Sequence, residues 1–488
     1  MSGAPVQTDD PAYQPATGTA FGKKGLGWAI FEFARNPYYN VIVISLYAPY
    51  FAKFVVGDET QGQAMVGWTI AIAGIIMAVV APILGSLIDT GGRRKFPTFL
   101  ALSVLGLTAF CLWFVEPNLP NAVTIGMALM ATGYCAYTVA ELFHNAMLPM
   151  AARPSSLPVV SGLGISLGNF GSILFLILLS VFITGTDTPL FGLDTENGET
   201  SRISGPLVAL WLCVFIMPFF LLMPDIKKTP DRSWRLAART SFVGKGGVFG
   251  LVANGASYVR EMFQEHPNVM RYLIGRMVYA DGIAALLTLG SVYVGGVLGW
   301  GANQLVLAGI VGGLCAVTGA LAGGFIDQAF GPKRSIMTEL ACIIVILTLQ
   351  LSITPDALLF GLIPAGYEVW PGGPFPRLSD LAYLMLLIPA SMLLGAVITS
   401  SRYMLVHIAP PENIGQFFGF YAMAGSVTVW IGPGLVALMT TLSGDQRIGM
   451  SGLGLLFALG LWIISGVKAG KTPTYLQKKG PVEASGAD

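Results

Sequence analysis

The chain has 488 residues, of which 54% are hydrophobic and only 11% are charged. An ordinary soluble domain carries about 25% charged residues, so this composition excludes a soluble globular protein and indicates an integral membrane protein. The formal net charge of +1 decides nothing about nucleic acid. The Lys and Arg residues form no basic patch with interleaved aromatic residues, so no nucleic-acid partner is expected.

Twelve apolar stretches follow a polar N-terminal tail that lacks the layout of a signal peptide. A helix needs about 20 apolar residues to cross a bilayer. On that rule we predict membrane spans at residues 27–55, 65–89, 97–115, 121–147, 158–183, 206–224, 268–298, 303–327, 335–354, 380–408, 414–441 and 448–467. The predicted fold is therefore an all-α membrane protein with 12 transmembrane helices.

The spans are predicted to form two pseudo-symmetric six-helix bundles, at residues 26–224 and 268–467. Tails at 1–25 and 468–488 flank them, and a polar loop at 225–267 separates them. Within that loop, residues 251–263 have apolar side chains at helical spacing, which fits an interfacial amphipathic helix or a short coil.

The distribution of Lys and Arg gives the orientation of the spans. If the N-terminus is cytoplasmic, the cytoplasmic segments hold Lys23, Lys24, Arg93, Arg94, Lys95, Arg153, Lys333, Arg334 and the basic residues of the central loop and C-terminal tail. The opposite side holds Lys53, Arg202, Arg377 and Arg447. Since cytoplasmic loops are enriched in Lys and Arg, both termini and the central loop are predicted to be cytoplasmic.

An internal repeat supports the two-bundle plan. The stretch GSLIDTGGRRK (85–95) follows span 2, and GGFIDQAFGPKR (323–334) follows span 8. The predicted cytoplasmic gate or signature loop consists of Gly85, Asp89, Gly92, Arg93, Arg94, Gly323, Asp327, Gly331, Lys333 and Arg334. A second pairing aligns 147–168 with 404–425 without a gap. This is the plan of a two-bundle transporter.

Several ionisable residues lie well inside the predicted spans. They are Glu32 and Arg35 in span 1, Glu141 in span 4, Arg276 and Asp281 in span 7, and Arg402 in span 10. An ionisable residue in a membrane helix costs about 2.5–3.5 kcal/mol on insertion scales, so it indicates a functional site. The ungapped repeat makes Asn145 the counterpart of Arg402, so it joins these candidates for substrate or proton binding.

Two readings of these charges stay open. They bind substrate or protons, or they form salt bridges that open and close the cytoplasmic mouth. Asp281 lies nearest the midplane and is the stronger candidate for the binding site, facing an arginine from another span. Glu32 and Arg35 are shallower, which favours a gate or proton relay. Gating is at least as strong a reading for Glu141 and Arg402.

The remaining motifs exclude other functions. His144, His266 and His407 are too scattered for a metal site and are expected to be structural. The chain has no GxxxxGK[ST] loop, so ATP-driven transport is not expected. It has no nucleophile–base pair and no HExxH motif, so we predict neither an enzyme nor a bound cofactor.

GSLIDTGGRRK resembles the loop 2–3 signature of the major facilitator superfamily, G-x-L-x-D-x-x-G-R-R/K. Further stretches are similar to those of its autophagic vacuole-effluxer-like family: WAIFEFARN (28–36), FHNAMLP (143–149), SGLGISLGNFG (161–171), YADG (279–282), TSSRY (399–403), FFGFYAMAG (417–425) and GP (432–433). The chain departs from that family at Glu32, where Asp is usual, and at Ser426, where Lys is common.

The resemblance implies that spans 1, 4, 7 and 10 line a central path and that the signature loop latches the two bundles. In that family, fungal members are associated with amino-acid efflux from the vacuole, and bacterial members largely lack assigned substrates. We therefore predict a secondary active transporter that moves a small polar organic solute by alternating access, outward and with protons. Two alternatives are a passive facilitator and a non-transporting receptor or assembly factor. We expect a monomer in the bilayer of a bacterial inner membrane.

Overall fold

The computed structural model of the chain describes residues 22–90, 93–152, 157–186, 189–195, 197–225, 260–410, 417, 420–421 and 428–470. In these ranges, 11 helices are long and apolar enough to cross a membrane, and Ile431–Ser443 forms a shorter apolar helix. This confirms the predicted all-α membrane architecture. The predicted span 414–441 lies partly outside the described residues. So do most of the predicted amphipathic helix and the C-terminal tail beyond residue 470.

Contacts between residues divide the chain into two compact units. Unit 1 comprises Met1–Ala256 and Leu287–Ile310, and unit 2 comprises Ser257–Leu286 and Val311–Asp488. The predicted bundle boundaries at residues 224 and 268 stay a prediction.

The helices of unit 1 begin with the first predicted span. They are α1 (Lys23–Pro37), α2 (Tyr47–Tyr50), α3 (Glu59–Thr90), α4 (Lys95–Cys111), α5 (Ala122–Met147), α6 (Leu157–Leu179), α7 (Glu199–Arg202), α8 (Ser204–Phe215) and α9 (Met217–Leu222). Three segments are π-helical: Tyr38–Ser45, Phe51–Val56 and Ser180–Thr184. Two long helices, α10 (Pro267–Val297) and α11 (Ala302–Phe330), contribute residues to both units.

Unit 2 also contains α12 (Pro332–Leu351), α13 (Leu378–Ile408), α14 (Ile431–Ser443) and α15 (Gln446–Ser465). Between α12 and α13 lies a small antiparallel sheet of β1 (Ala357–Leu358) and β2 (Ile363–Pro364). Its register pairs Ala357 with Pro364 and Leu358 with Ile363.

Two prolines shape the first span. Pro37 lies at the end of α1 and Pro49 lies in α2, and a π-helical segment follows each. A proline has no N–H group to donate to the preceding turn, so the helix is loosened at these points. The hydroxyl groups of Tyr47 and Tyr50 donate to the Leu112 and Val115 carbonyls, at 3.0 and 2.9 Å, and tie this irregular region to the end of α4 and the turn that follows it.

Candidate functional site

The charges predicted in spans 1 and 4 come together in unit 1. Glu32 and Arg35 are three residues apart on α1 and therefore share a face, and α5 brings Glu141 against them. Arg35 Nη2 lies 2.8 Å from Glu32 Oε2, and Arg35 Nη1 lies 3.2 Å from Glu141 Oε2. One guanidinium group therefore binds two carboxylates from different helices.

Arg35 is the buried centre of this cluster, with 2% of its surface exposed. Its Nη1 also donates to the Tyr137 carbonyl at 3.1 Å, and its guanidinium carbon lies 3.9 Å from the centre of the Tyr137 ring. A planar guanidinium group can bind a carboxylate and stack on an aromatic ring at the same time. The Glu141 side chain, in contrast, is 42% exposed. The cluster therefore has a buried cation and an accessible carboxylate.

His144 is a member of this cluster that sequence reasoning missed. Its side chain is fully buried, and its Nδ1 lies 3.3 Å from Glu32 Oε1. The helical spacing of Glu141 and His144, three residues apart, places both on one face of α5. That spacing was visible in the sequence, but the contact with Glu32 depends on how α5 is rotated against α1.

Polar groups continue along α1 beyond the charges. Tyr137 donates its hydroxyl to Asn36 Oδ1 at 3.1 Å, and Asn40 Nδ2 donates to Ser172 Oγ on α6 at 3.0 Å. Gly168 brings α6 against this face, because a β-carbon there would lie 3.0 Å from Asn36 and 3.1 Å from Glu32. A small residue at this position thus allows α6 to pack closely beside the site.

In unit 2, Asp281 on α10 is buried, with 2% of its surface exposed. The Thr428 hydroxyl donates to its Oδ1 at 3.1 Å. Among the described residues of unit 2, no Lys or Arg nitrogen forms a salt bridge with it. In the described part of unit 2, the hydrogen-bond partner of this carboxylate is thus a threonine hydroxyl, and an arginine partner from another span stays a prediction.

The other predicted charges of unit 2 have different surroundings. Arg276 is partly exposed, donates from Nη1 to the Tyr421 carbonyl at 2.6 Å, and stacks 3.6 Å from the centre of that ring. Arg402 on α13 is exposed. Its neighbour Ser401 is buried, and the hydroxyl of Tyr279 lies 2.6 Å from Ser401 Oγ. In unit 1, the sequence counterpart of Arg402, Asn145, is exposed as well.

The first signature loop is described only in part. Gly92 and the side chains of Gly85 and Asp89 lie outside the description, and Arg93 is exposed. Arg94 donates from Nη1 to the Ala146 carbonyl, and its backbone N–H donates to Asp225 Oδ1 at 2.7 Å. Asp225, which sequence reasoning did not single out, thus anchors the start of α4.

The second signature loop lies in unit 2. Gly323 allows a close approach of α11 to α13, because a β-carbon there would lie 2.8 Å from Ala396 Cα. Gly331 has a φ of 81°, which favours glycine, and the Lys333 ammonium group donates to the Ser465 carbonyl at 2.8 Å. Arg334 is exposed. Asp327, the remaining member of the predicted signature loops, is buried.

A second buried acid in this region escaped sequence reasoning. Glu339 on α12 has 3% of its surface exposed and accepts a hydrogen bond from Ser400 Oγ at 3.1 Å. It lies four residues inside the predicted start of span 9, so it is not among the charges predicted to lie well inside the spans. The described residues therefore hold an intramembrane acid outside spans 1, 4, 7 and 10.

Unit 1 also contains a cavity of about 220 Å³ that is lined by none of the predicted substrate-binding residues. Its wall includes the aromatic side chains of Tyr50, Phe54 and Trp300 and the charged side chains of Lys53 and Glu59. None of the candidate charged residues of unit 1 therefore contributes to the wall of this cavity.

Sequence comparisons place the chain among membrane transporters. Residues 51–473 match the family described as “Vacuole effluxer Atg22 like”. An uncharacterized MFS-type transporter of Bacillus subtilis, YxiO, is 23% identical over 454 residues, which cover 91% of this chain and 95% of YxiO. Autophagy-related protein 22-1 of Neosartorya fischeri is 23% identical over 325 residues, which cover 64% of this chain and 48% of that protein. The chain thus spans about half the length of this fungal relative.

Solved structures give the same fold. The inward-open xylose transporter XylE from E. coli has a TM-score of 0.60 at 13% identity, with 92% of this chain and 97% of that chain covered. A POT family transporter in complex with a thioalcohol-conjugated peptide has a TM-score of 0.60 at 15% identity, with 93% and 98% covered. The chain therefore has the major facilitator fold, and its relatives and neighbours are transporters rather than enzymes.

Proposed function

Because the chain belongs to the vacuole effluxer Atg22-like family, we propose that it is a secondary transporter of a small polar organic solute, amino-acid-like or an organic anion. It works by alternating access, moves the solute outward and couples that movement to protons. It functions as a monomer in a bacterial inner membrane, with both termini cytoplasmic and without a nucleic-acid partner.

The observation that carries this proposal is the open ionic cluster of unit 1. Arg35 is buried against α5, yet its partner Glu141 keeps 42% of its side chain exposed. A purely structural ion pair in a membrane helix would be expected to be closed on all sides, because an exposed charge there is costly. An accessible carboxylate beside a buried cation supports contact with a polar solute or with protons.

The same cluster argues against the gating alternative for Glu32, Arg35 and Glu141. All three side chains belong to unit 1, and their salt bridges join α1 to α5 inside it. A gate salt bridge must break when the path opens, and a bridge inside one compact unit does not break when that unit moves as a whole. A role in binding is therefore the better assignment for these groups.

The charged side chains of each unit, taken separately, fit one end of an amino-acid-like solute. Unit 1 offers the accessible carboxylate of Glu141, and unit 2 offers the partly exposed guanidinium group of Arg276. Arg276 is held by the ring and the carbonyl of Tyr421, which leave other N–H groups of its planar fork available for a carboxylate. Each of the two groups on its own therefore supports a charged polar solute, amino-acid-like or an organic anion.

Transport by purified protein in proteoliposomes tests the proposal. Radiolabelled amino acids and small carboxylic acids are offered singly, with and without an imposed pH gradient. We expect at least one of them to accumulate under the gradient. Uptake should be lost in Arg276→Gln and kept in Arg271→Gln, a matched control on the same helix whose exposed guanidinium group donates to the Gly466 carbonyl.

Two results would contradict the proposal. One is the absence of uptake and exchange for every probe in protein that remains folded. The other is equal transport by wild type and Arg276→Gln. Uptake that does not depend on the pH gradient would still identify a transporter, but it would indicate passive facilitation instead of proton coupling.

A further inference from the structure

His144 occupies a rigid aromatic slot in unit 1. Its imidazole ring is stacked between Trp28, with ring centres 4.1 Å apart, and Phe31, with ring centres 3.9 Å apart. The edge of Phe219 closes the slot, with ring centres 5.9 Å apart. The ring is fully buried, so its nitrogen atoms can exchange protons only with the groups that touch them.

Two hydrogen bonds between α1 and α5 fix which ring nitrogen carries a proton. Trp28 Nε1 donates to the His144 carbonyl at 3.0 Å, and His144 Nε2 lies 2.9 Å from the Trp28 carbonyl. A carbonyl oxygen can only accept, so Nε2 is the donor and carries a hydrogen. In a neutral imidazole with this tautomer, Nδ1 is left with a lone pair.

Nδ1 faces a carboxylate at this point. It lies 3.3 Å from Glu32 Oε1, and in the described part of the chain it has no hydrogen bond of ordinary geometry. A lone pair opposite an ionised carboxylate is repulsive. A proton between the two atoms, on either Nδ1 or Oε1, turns the repulsion into a charge-assisted or neutral hydrogen bond.

The net charge of the groups around Glu32 and His144 also favours binding of one proton. Arg35 is the cation that contacts Glu32 and Glu141, so the three groups carry a net charge of −1 when both acids are ionised. The Tyr137 hydroxyl donates to Asn36, and the side chains of Trp28, Phe31 and Phe219, which pack on the His144 ring, carry no charge. One bound proton brings the described cluster to neutrality, which a low-dielectric site strongly favours.

We propose that Glu32 and His144 together form the proton-binding site of this transporter, with the proton shared between Glu32 Oε1 and His144 Nδ1. The inference rests on the proposed transport function and names its coupling site. The proton enters through Glu32, whose side chain is 15% exposed, because the His144 ring has no exposure. Its release leaves the lone pair against the carboxylate, so Glu32 moves away while the Trp28 hydrogen bonds hold His144 in place.

Infrared difference spectra of the purified protein test this assignment without a substrate. Spectra recorded at an acidic and at an alkaline pH, both within the range in which the protein stays folded, should show carboxyl or imidazole bands from this pair in the wild type. His144→Gln and Glu32→Gln should both lose those bands, while His266→Gln, which removes a histidine of unit 2 that is not a member of the cluster, should keep them. Melting temperatures identify any variant that fails to fold, and the other variant then decides the result.

A transport measurement gives the second readout. The protein is offered a mixture of radiolabelled amino acids under an imposed pH gradient. In His144→Gln and Glu32→Gln, the accumulation driven by the gradient should fall at least about tenfold, equivalent to about 1.4 kcal/mol. His266→Gln should retain it. Unchanged bands in a folded His144→Gln or Glu32→Gln variant, or unchanged gradient-driven accumulation, would overturn the assignment. If wild type moves no solute, the transport function fails, and the infrared bands alone decide whether the proton site is correct.

Discussion

Gly319 on α11 and Gly395 on α13 bring the two helix backbones of unit 2 into contact. A β-carbon at Gly319 would collide with the Met392 carbonyl, and one at Gly395 would collide with the Ala316 carbonyl. Backbone atoms cannot move aside as a side chain can. Small residues at such a crossing allow close packing in a membrane, where no hydrophobic force drives helices together.

Gly319→Ala should therefore destabilise the protein, by about 1–3 kcal/mol or more, because overpacking forces the helices apart. The control is Gly324→Ala on the same helix, where an added β-carbon meets no atom within 4 Å. Thermal unfolding in detergent should show a lower midpoint for the first variant and an unchanged one for the second. Equal midpoints would mean that the two helices do not cross at Gly319.

Arg35 offers a second prediction, on stability. Replacing it with Ala leaves Glu32 and Glu141 without their shared cation, and removal of one partner from a buried ion pair costs about 3–5 kcal/mol. Since Glu141 is partly exposed, we expect the lower end of this range. Arg35→Lys keeps the charge but loses the planar fork, so its unfolding midpoint should lie between those of wild type and Arg35→Ala.

The double variant Arg35→Ala/Glu32→Gln provides the control for this prediction. It removes the carboxylate with the less exposed side chain, so it should regain part of the lost stability. A melting temperature for the double variant below that of Arg35→Ala would contradict the assignment of Glu32 as the partner.

The helical fold could be predicted from the sequence because its two signals do not depend on tertiary packing. These signals are the lengths of the apolar stretches and the repeated loop motif with its glycine, acidic and basic residues. The shared face of Glu32 and Arg35 follows from helical spacing alone. The contact between His144 and Glu32 does not, because it depends on how α5 is rotated against α1. The burial of Glu339 does not follow from the sequence either, because this residue lies near a predicted span end and the boundaries of a span are only approximately predictable. The functional roles of the predicted site residues stay predictions.

Thr428 gives a third prediction, for unit 2. Its hydroxyl donates to the buried Asp281 carboxylate, so Thr428→Val should leave that oxygen without its donor at a cost of about 1–3 kcal/mol. Thr428→Ser keeps the hydroxyl group and should melt close to wild type. The measurement is again thermal unfolding. If Val and Ser at this position gave the same midpoint, the hydrogen bond would contribute nothing to stability.

The fourth prediction concerns two buried acids, Asp327 and Glu339, that form no salt bridge with any described residue. In the described residues, both carboxylate oxygens of Asp327 and one of Glu339 have no hydrogen-bond partner. The hydroxyl groups of Ser335 and Ser400 lie near Asp327 but donate to Gly331 and Glu339. The two carboxyl groups are close enough to interact electrostatically. An amide at either position would supply the missing donor and remove one negative charge.

Asp327→Asn and Glu339→Gln should therefore each stabilise the protein at neutral pH, by about 1–3 kcal/mol, the cost of leaving a buried polar group unsatisfied. The matched control is Asp380→Asn, because Asp380 is buried but bonded to Arg377, with Nη2 2.9 Å from Oδ1. There the same chemical change breaks an ion pair and should lower the melting temperature. Asp327→Asn and Asp380→Asn should thus shift the melting temperature in opposite directions. If both lowered it, Asp327 would have a partner that stabilises its charge.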